Sequence, residues 1–590
     1  MEHNRSVIGV VGLGTVGEAL LGLAATAGHR VIGVDCDPGV LERVARRTAA
    51  AQAGAEATAG TVLTAERTVT LTSDLAELAA ADVVFEAVPD RRETKIEVLR
   101  RINESCGPAT PTVTTTSTLA VPYLAIAAGS PAHTVGLRLF LPPGGVGKVE
   151  LTGTAATDPG CLAEVRALVA GLGLTEASVG ARPGDAAMAL VYGYLNRAVD
   201  LYEQGYADAV DIDAAMRLGC GLPYGPLELL DLIGLDTAHE VLTDLHHSVG
   251  AAAFAPAPLL TRMVEAGLLG RKSEAGFHRY DALGARVEQA ADGADAAAPC
   301  DLRRIGVLGS GTMARGIAEV VAAAGFSTVL VARSQQKADA ALGAIGDSLL
   351  RGVRRGRISP DGKAQTLERL AGTADLAALG DCDLVIEAVA EDLAVKRELF
   401  GRLDAVCRPG AVLATTTSSL SVADCAEATV RRRDVLGLHF FNPAPVMRLV
   451  EVVRTESTDQ AALAVAHAFC ARLGKTGVDC PDRAGFIVNY LLFPYLGSAV
   501  RMLDQHDVGV AELDAAVELG FGYPMGPFAL LDAIGLDVSL AIQHRLHEEF
   551  PTPEFAPAVL LEQLVKLGHL GRKTGLGFKA VPPRNEVLAG

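Results

Sequence analysis

The chain has 590 residues, of which 49% are apolar and 21% are charged, and its formal net charge is −18. A chain of this length is too long for one hydrophobic core, so several domains are expected. So acidic a protein has no global attraction to nucleic acid, and an anionic ligand would need a local basic patch or a helix N-terminus. Trp is absent and aromatic residues make up only 4%, which suits helices packed on a sheet.

The cysteines and the first residues indicate a compartment. The ten cysteines are scattered singly, without CxxC spacing or a Cys/His cluster, which favours reduced thiols and offers no metal site. The stretch MEHNRSVIGVVGLG runs into a strand pattern and lacks the layout of a signal peptide. Apolar runs are broken by Gly, Pro or charge, so no transmembrane span is expected. We therefore expect a cytoplasmic protein that binds neither membranes nor nucleic acid.

The chain contains the same unit twice. VGLRLFLPPGGVGKVE at 135–150 aligns without a gap with LGLHFFNPAPVMRLVE at 436–451. The offset of 301 (436 − 135) holds from about position 82 to position 280. Near the start of each unit the offset is 297 (311 − 14), so the second copy carries a four-residue insertion before Asp383. A period this long indicates a tandem duplication rather than a solenoid.

Within each copy, strand patterns come first and helical patterns follow. The first copy has short apolar runs at VIGVVGLG, HRVIGVD and DVVFEAV, separated by helical patterns, which predict a Rossmann-type doubly wound α/β domain. Amphipathic runs such as DAAMALVYGYLNRAVDLYEQG then predict a helical domain. The stretch 281–299 is rich in Ala, Gly and Asp and indicates a linker. The expected units are residues 1–182 (α/β), 183–281 (helical), 282–302 (linker), 303–482 (α/β) and 483–590 (helical).

Each α/β unit opens with a glycine-rich loop between a strand and a helix. The first glycine permits a tight turn, the second lets the backbone approach a pyrophosphate, and the small third residue lets helix and strand pack. The pyrophosphate then lies on a helix N-terminus, which favours an anion. The predicted dinucleotide contacts are Gly12, Gly14 and Gly17 in the first copy, and Gly309, Gly311, Thr312, Met313 and Ala314 in the second.

The end of the second strand bears on cofactor choice. The first copy has Asp35 there, where a carboxylate would accept hydrogen bonds from the adenosine ribose of NAD. The second copy has Ala332 at that position, followed by Arg333. Loss of the carboxylate removes its repulsion of a 2′-phosphate, and the Arg can pair with that phosphate. We therefore expect NADP to be tolerated or preferred in the second copy and NAD in the first. The alternative is that Arg333 stacks on the adenine or faces solvent.

The second copy contains seven motifs in a fixed order: IGVLGSGTMARGI, EAVAEDLAVKRELF, ATTTSSLSV, GLHFFNPAPVMRLVEVV, AGFIVNYLLFPY, YPMGPFALLD and GRKTGLGF. Together they resemble the L-3-hydroxyacyl-CoA dehydrogenase (3-hydroxybutyryl-CoA dehydrogenase) family. The resemblance covers Arg303 to Phe578, and the first copy resembles the same family more weakly over Val7 to Tyr280. The resemblance implies a nicotinamide-dependent oxidoreductase whose helical domain is that of the family.

Carried onto this sequence, the resemblance implies a catalytic His439 paired with Glu451. Oxidation of a secondary alcohol needs a base with a pKa near neutral, and a carboxylate can fix the imidazole tautomer and stabilise the imidazolium. Asn489 and Ser418 would hold the substrate oxygens as donors that do not compete for protons.

The resemblance also implies contacts around the reacting groups. Asn442 would close the substrate loop, and Glu391 and Lys396 would lie beside the nicotinamide half of the cofactor. Ser348 and Arg355, in the basic segment DSLLRGVRRGRIS, fall on the family's CoA-phosphate contacts. A basic run on a helix is also typical of a solvated face.

The first copy lacks much of this chemistry. Arg138, Leu141 and Met188 stand where the second copy has His439, Asn442 and Asn489, whereas Glu150, Ser117 and Lys95 are retained. An Arg cannot act as a base at neutral pH, so we expect no dehydrogenation there and an ion pair between Arg138 and Glu150. The first copy then serves as a pseudo-subunit, forming an intramolecular pseudo-dimer through the helical domains, and a homodimer of whole chains remains possible.

Three hypotheses follow, and the intact set of His439, Glu451 and Asn489 argues for the first and against the second. The first is interconversion of a (3S)-3-hydroxyacyl-CoA, such as 3-hydroxybutyryl-CoA, and a 3-oxoacyl-CoA with NAD(P)(H), or the same reaction on a carrier-protein-bound acyl group. The second is a non-catalytic NAD(H) sensor that works through the first copy. The third is a hydroxyacid dehydrogenase of the same broad fold that does not use CoA, which HFFNP and the basic segment disfavour.

Overall fold

The molecule contains two eight-stranded sheets, one in each copy. A computed structural model describes residues 6–59, 69–116, 119–140, 148–176, 181–287, 302–505 and 508–579. The strands of the first sheet are β1 (Val7–Val11), β2 (Arg30–Val34), β3 (Val69–Thr72), β4 (Val83–Glu86), β5 (Thr112–Thr115), β6 (Thr134–Phe140), β7 (Lys148–Thr152) and β8 (Thr175–Glu176). Those of the second sheet are β9 (Arg304–Leu308), β10 (Ser327–Val331), β11 (Leu370–Thr373), β12 (Leu384–Glu387), β13 (Val412–Thr415), β14 (Val435–Phe440), β15 (Leu449–Arg454) and β16 (Thr476–Pro481).

Both sheets have the same topology. The strand orders are β3-β2-β1-β4-β5-β6-β7-β8 and β11-β10-β9-β12-β13-β14-β15-β16. The only antiparallel neighbours among the described strands are β6 with β7 and β14 with β15. The first six strands of each sheet follow the doubly wound order, in which the strand order reverses between the first and fourth strands and leaves a crevice for a dinucleotide. The predicted fold class is confirmed.

Helices cover the sheets and build the domains that follow them. In the first copy they are α1 (Thr15–Thr26), α2 (Pro38–Ala59), α3 (Arg92–Cys106), α4 (Val121–Ala128), α5 (Pro159–Gly171), α6 (Ala181–Glu203), α7 (Ala209–Cys220), α8 (Pro226–Ile233), α9 (Leu235–Val249) and α10 (Pro258–Glu265). In the second copy they are α11 (Thr312–Ala323), α12 (Gln335–Arg354), α13 (Pro360–Glu368), α14 (Leu393–Val406), α15 (Val422–Glu427), α16 (Gln460–Arg472), α17 (Val488–Gln505), α18 (Val510–Phe521), α19 (Pro527–Ile534), α20 (Leu536–Glu549) and α21 (Val559–Lys566). Short 3₁₀ turns lie at Leu75–Ala80, Ala252–Phe254, Arg271–Ser273, Leu376–Leu379 and Arg432–Asp434.

The two helical domains share one hydrophobic core. Helix α6 of the first copy packs against α17 and α18 of the second. The rings of Tyr194 and Tyr495, which occupy equivalent positions in α6 and α17, meet edge to face with centroids 5.9 Å apart. The buried side chains of this core continue onto one face of the second sheet, including Leu449 and Val453 of β15. The second copy's sheet is therefore packed against both helical domains.

The repeated Gly-Pro pair has a packing role in each helical domain. Gly225 precedes α8, and a Cβ added to it would collide with Asp213. The Asp213 carboxylate accepts hydrogen bonds from the first amides of α8, at Leu227 and Glu228. Gly526, Asp514 and α19 repeat this arrangement in the second copy. The glycine lets a buried carboxylate cap the following helix, which explains why the pair is retained in both copies.

The junction between the copies is partly folded. Residues 282–287 belong to the predicted linker, but Arg286 forms a β-bridge with Tyr280 and lies 3.7 Å from Glu228. The rest of the predicted linker up to 301 lies outside the described residues. None of the helices in the described part of the chain is long and apolar enough to cross a membrane.

Candidate active site

His439 and Glu451 face each other across two antiparallel strands. Strand β14 pairs with β15 so that the two residues are directly opposed, and the imidazole Nδ1 lies 2.6 Å from Oε2 of the carboxylate. The other oxygen of Glu451 accepts the amide hydrogens of Ile487 and Val488, at 3.0 and 2.9 Å. A carboxylate held this way can only accept, so Nδ1 carries the hydrogen and Nε2 is left free to take a proton.

The local backbone brings helix α17 to this pair. Gly485 and Phe486 both have positive φ, 79° and 48°, and this turn aims the first amides of α17 at Glu451. The rings of Phe441 and Phe486 lie 4.5 and 5.4 Å from the His439 ring. The imidazole therefore packs against two aromatic rings, and only 6% of the residue is exposed.

Asn489 and Ser418 lie together beside the pair. Asn489, one residue after Val488 in α17, donates its amide to the Ser418 carbonyl oxygen at 3.4 Å. Glu391 holds this loop from the other side, because its carboxylate accepts from the Thr417 hydroxyl at 2.5 Å and the Ser418 amide at 3.0 Å. Glu391 after β12, Thr417 and Ser418 after β13, and Asn489 at the start of α17 therefore lie close together.

Lys396 of α14 is buried behind Glu391. It is 1% exposed, and its ammonium group bonds to both oxygens of Glu387, at 3.0 and 2.8 Å. Thr415 donates to the same carboxylate, and Lys396 also lies 3.6 Å from Glu391. The buried ammonium of Lys396 is thus held by Glu387 and lies beside Glu391. Lys95, Glu86 and Thr114 form the same buried network in the first copy.

The glycine-rich loops have room for a dinucleotide. Gly12 and Gly309 have φ of +86° and +135°, and a Cβ at either would run into the carbonyl of Ala87 or Ala388. At the second glycine, Gly14 or Gly311, an added Cβ would meet nothing within 4 Å. The backbone is thus open where a pyrophosphate would approach and closed where the fourth strand packs, and α1 or α11 begins directly afterwards. The residues present fit a nicotinamide dinucleotide.

The small third residue and the first turn of each helix agree with this fit. Gly17 of α1 lies so close to the Gly12 carbonyl that a Cβ there would clash. Its counterpart Ala314 is fully buried in α11, whereas Thr312 is exposed at the helix start and Met313 is half-buried. The second loop therefore accommodates one methyl group that the first does not.

The two ribose positions differ as the sequence indicated. Asp35 follows β2, and its carboxylate accepts the amide hydrogens of Leu13 and Asp37, at 2.7 and 2.9 Å. Ala332 is buried at the equivalent place after β10, and Arg333 next to it is exposed. The second copy has no carboxylate at this position, and a guanidinium is available at the surface beside it.

The predicted CoA contacts lie elsewhere in the domain. Ser348 is on α12, where its hydroxyl bonds to Glu319, and Arg355 is exposed just after that helix. Helix α12 packs on β11 at one edge of the sheet, five strands away from β14, a distance of roughly 24 Å at the usual strand spacing. The structure does not bring them together with the His–Glu pair. Asn442 is exposed two residues after the end of β14 and precedes Pro443 in a cis peptide bond.

The first copy has a different arrangement at the equivalent place. Arg138 of β6 is opposed to Glu150 of β7, with a guanidinium nitrogen 3.6 Å from the carboxylate, so the expected ion pair is present. A second nitrogen bonds to Asp185 of α6 at 2.9 Å. Met188 is half-buried in α6. Ser117 and Leu141 lie outside the described residues.

Sequence reasoning missed several of these contacts. Glu387 ends a buried strand in the run DLVIEAV, and an acid at the end of an apolar strand is a signal that could have been used. Phe441 lies within HFFNP, a motif that was recognised without assigning a role to its second Phe. The amides of Ile487 and Val488 carry no side-chain signal at all.

Together, a doubly wound dinucleotide domain and a His–Glu pair facing a helical domain define a nicotinamide-dependent dehydrogenase. Family models agree with this class. The NAD-binding domain of 3-hydroxyacyl-CoA dehydrogenase matches residues 7–181 and 304–483, and the C-terminal domain of that enzyme matches residues 186–280 and 485–580. The chain therefore belongs to the 3-hydroxyacyl-CoA dehydrogenase family, with both domains duplicated in tandem. This confirms the resemblance inferred from the motifs.

Two curated relatives each match about half of the chain, whereas one solved structure covers nearly all of it. A 3-hydroxybutyryl-CoA dehydrogenase of Mycobacterium tuberculosis is 46% identical over 279 residues, which is 47% of this chain and 98% of the relative. The mitochondrial hydroxyacyl-coenzyme A dehydrogenase of Rattus norvegicus is 41% identical over 285 residues, covering 47% and 90%. A crystal structure of 3-hydroxybutyryl-CoA dehydrogenase from Escherichia coli covers 96% of this chain and 99% of its own, with 21% identity and a TM-score of 0.55, and shares the fold.

Proposed function

We propose that the second copy interconverts (3S)-3-hydroxyacyl-CoA and 3-oxoacyl-CoA, with 3-hydroxybutyryl-CoA as a typical substrate. The observation that carries this is the 2.6 Å contact between His439 and Glu451, with Asn489 and Ser418 alongside. The names of the relatives, which are 3-hydroxybutyryl-CoA and hydroxyacyl-coenzyme A dehydrogenases, support the substrate class. The proposed domains are those expected from the sequence, with the chemistry assigned to residues 303–590.

A nicotinamide dinucleotide held by the glycine loop at 309–314 would supply the hydride acceptor for the substrate's 3-carbon, and the hydride donor in the reverse direction. Nε2 of His439 takes the proton of the 3-hydroxyl, because Nδ1 is already committed to Glu451. Glu451 stabilises the resulting imidazolium, and its second oxygen stays fixed by the amides of α17. In the reverse direction His439 protonates the developing alkoxide.

The neighbouring residues hold the reacting groups in place. Asn489 and Ser418 supply hydrogen bonds to the substrate oxygens, and a donor aimed at a developing oxyanion contributes strongly in a site closed to water. Glu391, supported by Lys396, fixes the loop that carries Ser418. The glycine loop at 309–314 holds the dinucleotide, and Asn442 closes the substrate side. Ser348 and Arg355 bind the CoA phosphates from the edge of the domain.

The decisive experiment is the initial rate of acetoacetyl-CoA reduction by the full chain. We expect turnover that falls by about a hundredfold or more in His439→Ala, because a positioned general base or acid contributes at least this factor. Arg138→Ala, the equivalent change in the first copy, is the control and should leave the rate unchanged. Activity that survives in His439→Ala and disappears in Arg138→Ala would mean that the first copy carries the chemistry, and would refute the proposal. Acetoacetyl groups on CoA and on a carrier protein, compared at equal concentration, separate the two forms of substrate.

The first copy gives a second, narrower proposal: it binds NAD(H) without turning it over. Its loop shares the positive φ of Gly12 and the open space at Gly14 with the second copy, and Asp35 supplies the ribose carboxylate. Calorimetric titration of NADH into the full chain should then give two sites, and Gly14→Glu should remove one of them. One site in both proteins would show that the first copy holds no nucleotide, as expected for a purely structural unit.

We further propose that the second copy uses NADPH at least as well as NADH, and that the protein works in the cytoplasm.

The packing of α6 on α17 and α18 supports an intramolecular pseudo-dimer, in which one chain supplies both helical surfaces. The mass of the full chain in solution, measured by light scattering, tests whether further chains associate.

A further inference from the structure

Because the unit is duplicated, the same region can be compared in two copies that carry different residues. In the first copy a cavity of about 1470 Å³ opens beside the degenerate site. It lies between the first copy's α6 and α9 and the second copy's α17, and its wall contains Met188, the counterpart of Asn489. Among the other lining residues are Leu119, Ala189, Val249, Ala253 and Phe254.

In the second copy larger side chains stand at the equivalent positions. Tyr490 replaces Ala189 and Phe550 replaces Val249, while Phe555 matches Phe254 (offset 301, 490 − 189). The three rings pack together: the centroid of Tyr490 lies 5.2 Å from that of Phe550 and 5.1 Å from that of Phe555, and the last two are 5.1 Å apart. We call Tyr490, Phe550 and Phe555 the aromatic cluster.

Two arginines close over the aromatic cluster. The guanidinium of Arg483 lies 4.1 Å from the centroid of Tyr490 and 5.4 Å from that of Phe550. Arg197 of the first copy lies 5.0 Å from the centroid of Phe555. Tyr490 and Phe555 are only 7% and 5% exposed, so the rings are packed and not free to swing away.

Tyr490 is the residue next to Asn489, so the aromatic cluster adjoins the group that would hold the substrate oxygen. The space next to that position is open in the first copy and holds aromatic rings in the second. An acyl chain leaving the reacting carbon on this side would have to displace packed rings to extend further. We propose that the aromatic cluster limits the length of the acyl chain and makes the second copy selective for short-chain 3-hydroxyacyl thioesters. This specificity rests on the dehydrogenase function proposed above.

The test is to give the second copy the first copy's residues. The full chain with Tyr490→Ala and Phe550→Val is compared with the wild type in the reduction of acetoacetyl-CoA and 3-oxodecanoyl-CoA. The ratio of kcat/KM for the long over the short substrate should rise by about tenfold or more, since even one methylene in an apolar pocket is worth this factor. The matched control, Ala189→Tyr with Val249→Phe, fills the first copy's cavity and should leave the ratio unchanged.

Thermal unfolding checks that each variant is folded. If the double variant does not fold, the single changes Phe550→Val and Tyr490→Phe decide, with a rise in the ratio expected only for the first. The proposal is overturned if the wild type reduces both substrates equally well, or if a folded Phe550→Val variant that reduces acetoacetyl-CoA keeps the wild-type ratio. A wild type without turnover of either substrate would instead refute the proposed dehydrogenase function.

Discussion

Gly219 of the first copy lies against Val488 of the second: a Cβ added at Gly219 would be 3.1 Å from Val488 Cγ2 and 2.8 Å from Leu449 Cδ2. Val488 donates its amide to Glu451, and Leu449 lies in β15 with Glu451. Helix α7 of the first copy therefore packs against β15 and α17, the two elements that hold the Glu451 carboxylate. The copy with Arg138 in place of the imidazole thus helps to support the His439–Glu451 pair of the other copy.

Replacement of Gly219 by Leu should lower kcat for acetoacetyl-CoA reduction. The new side chain would push α17 and β15 away from their present positions, and a shift of about 1 Å in a reacting group can cost roughly a hundredfold in rate. The KM for the nucleotide should stay unchanged, because the glycine loop lies on other elements. Steady-state kinetics measure both constants.

Gly520 provides the control for this prediction. It is the equivalent residue of α18, which packs on β6 of the first copy. Gly520→Leu should therefore disturb the degenerate site and leave kcat close to the wild-type value. Equal losses in the two variants, with equal drops in melting temperature, would mean that general destabilisation explains the effect.

The cofactor preference should respond to a single residue. Ala332→Asp restores the carboxylate that Asp35 supplies in the first copy, and it should reduce the kcat/KM for NADPH relative to NADH by about tenfold or more, the usual strength of a charged hydrogen bond. Asp35 shows that such a carboxylate is accommodated, since it bonds to the amides of Leu13 and Asp37. Asp35→Ala is the control and should leave the preference unchanged. An unaltered ratio in Ala332→Asp would assign cofactor choice to other residues.

Much of this site could be predicted from the sequence, because its motifs resemble those of a known family. The resemblance implied a pair between His439 and Glu451, and the structure has the two residues directly opposed. The alignment of the two copies also shows that Arg138 stands where the second copy has its imidazole. The Arg138–Glu150 ion pair followed from the same alignment.

The sequence could not indicate contacts that are made by backbone groups or that join segments far apart in the chain. The amides of Ile487 and Val488 reach Glu451 from another domain, and no residue type marks them. Lys396 is a residue type that is almost always exposed, yet it is 1% exposed because Glu387 neutralises it. The contact of Gly219 with Val488 joins the two copies, so neither repeat alone predicts it.

The contact between α7 of the first copy and β16 of the second should be sensitive to pH through His467. A hydrogen bond to Asp479 raises the pKa of His467, and Asp211 of the first copy adds to this. Burial, with Asp479 nearby, raises the pKa of Asp211 to about 6. Both groups are protonated more readily in the folded chain than in the unfolded one. Their contribution to stability is therefore present at low pH and lost as the pH rises through the folded pKa values.

His467→Gln tests this. The wild type should be more stable than the variant at about pH 5.5, and the difference should shrink towards about pH 8.5. Because the His467 and Asp479 side chains are each 38% exposed, the effect should not exceed about 1 kcal/mol. Urea unfolding at both pH values measures it. His544→Gln, at a His 3.9 Å from Glu562 and 52% exposed, is the control for the loss of a surface imidazole as such. A difference that grows with pH would contradict the assignment.

The buried pair of Lys95 and Glu86 should stabilise the first copy without taking part in turnover. Neither residue is exposed, the ammonium lies 2.9 Å from the carboxylate, and Thr114 donates to the same group at 2.6 Å. Removal of the cation in Lys95→Met leaves a buried carboxylate without its counter-charge, which typically costs about 3–5 kcal/mol. Burial raises the pKa of Glu86 even with Lys95 present. In the variant the carboxyl can escape part of the cost by taking a proton, so the loss should be larger at about pH 8 than at about pH 5.

The equivalent pair in the second copy separates stability from function. Lys396→Met should lower stability by a similar amount and also reduce kcat, because Lys396 supports Glu391 and through it the Ser418 loop. Lys95→Met should leave the kcat of the folded protein unchanged. Adding Glu86→Gln to Lys95→Met removes the stranded charge and should recover part of the stability, with a flatter pH dependence. Urea unfolding and acetoacetyl-CoA kinetics on the same preparations decide the matter. If Lys95→Met lowered kcat as much as Lys396→Met, the buried network would act on the whole molecule and not on its own site.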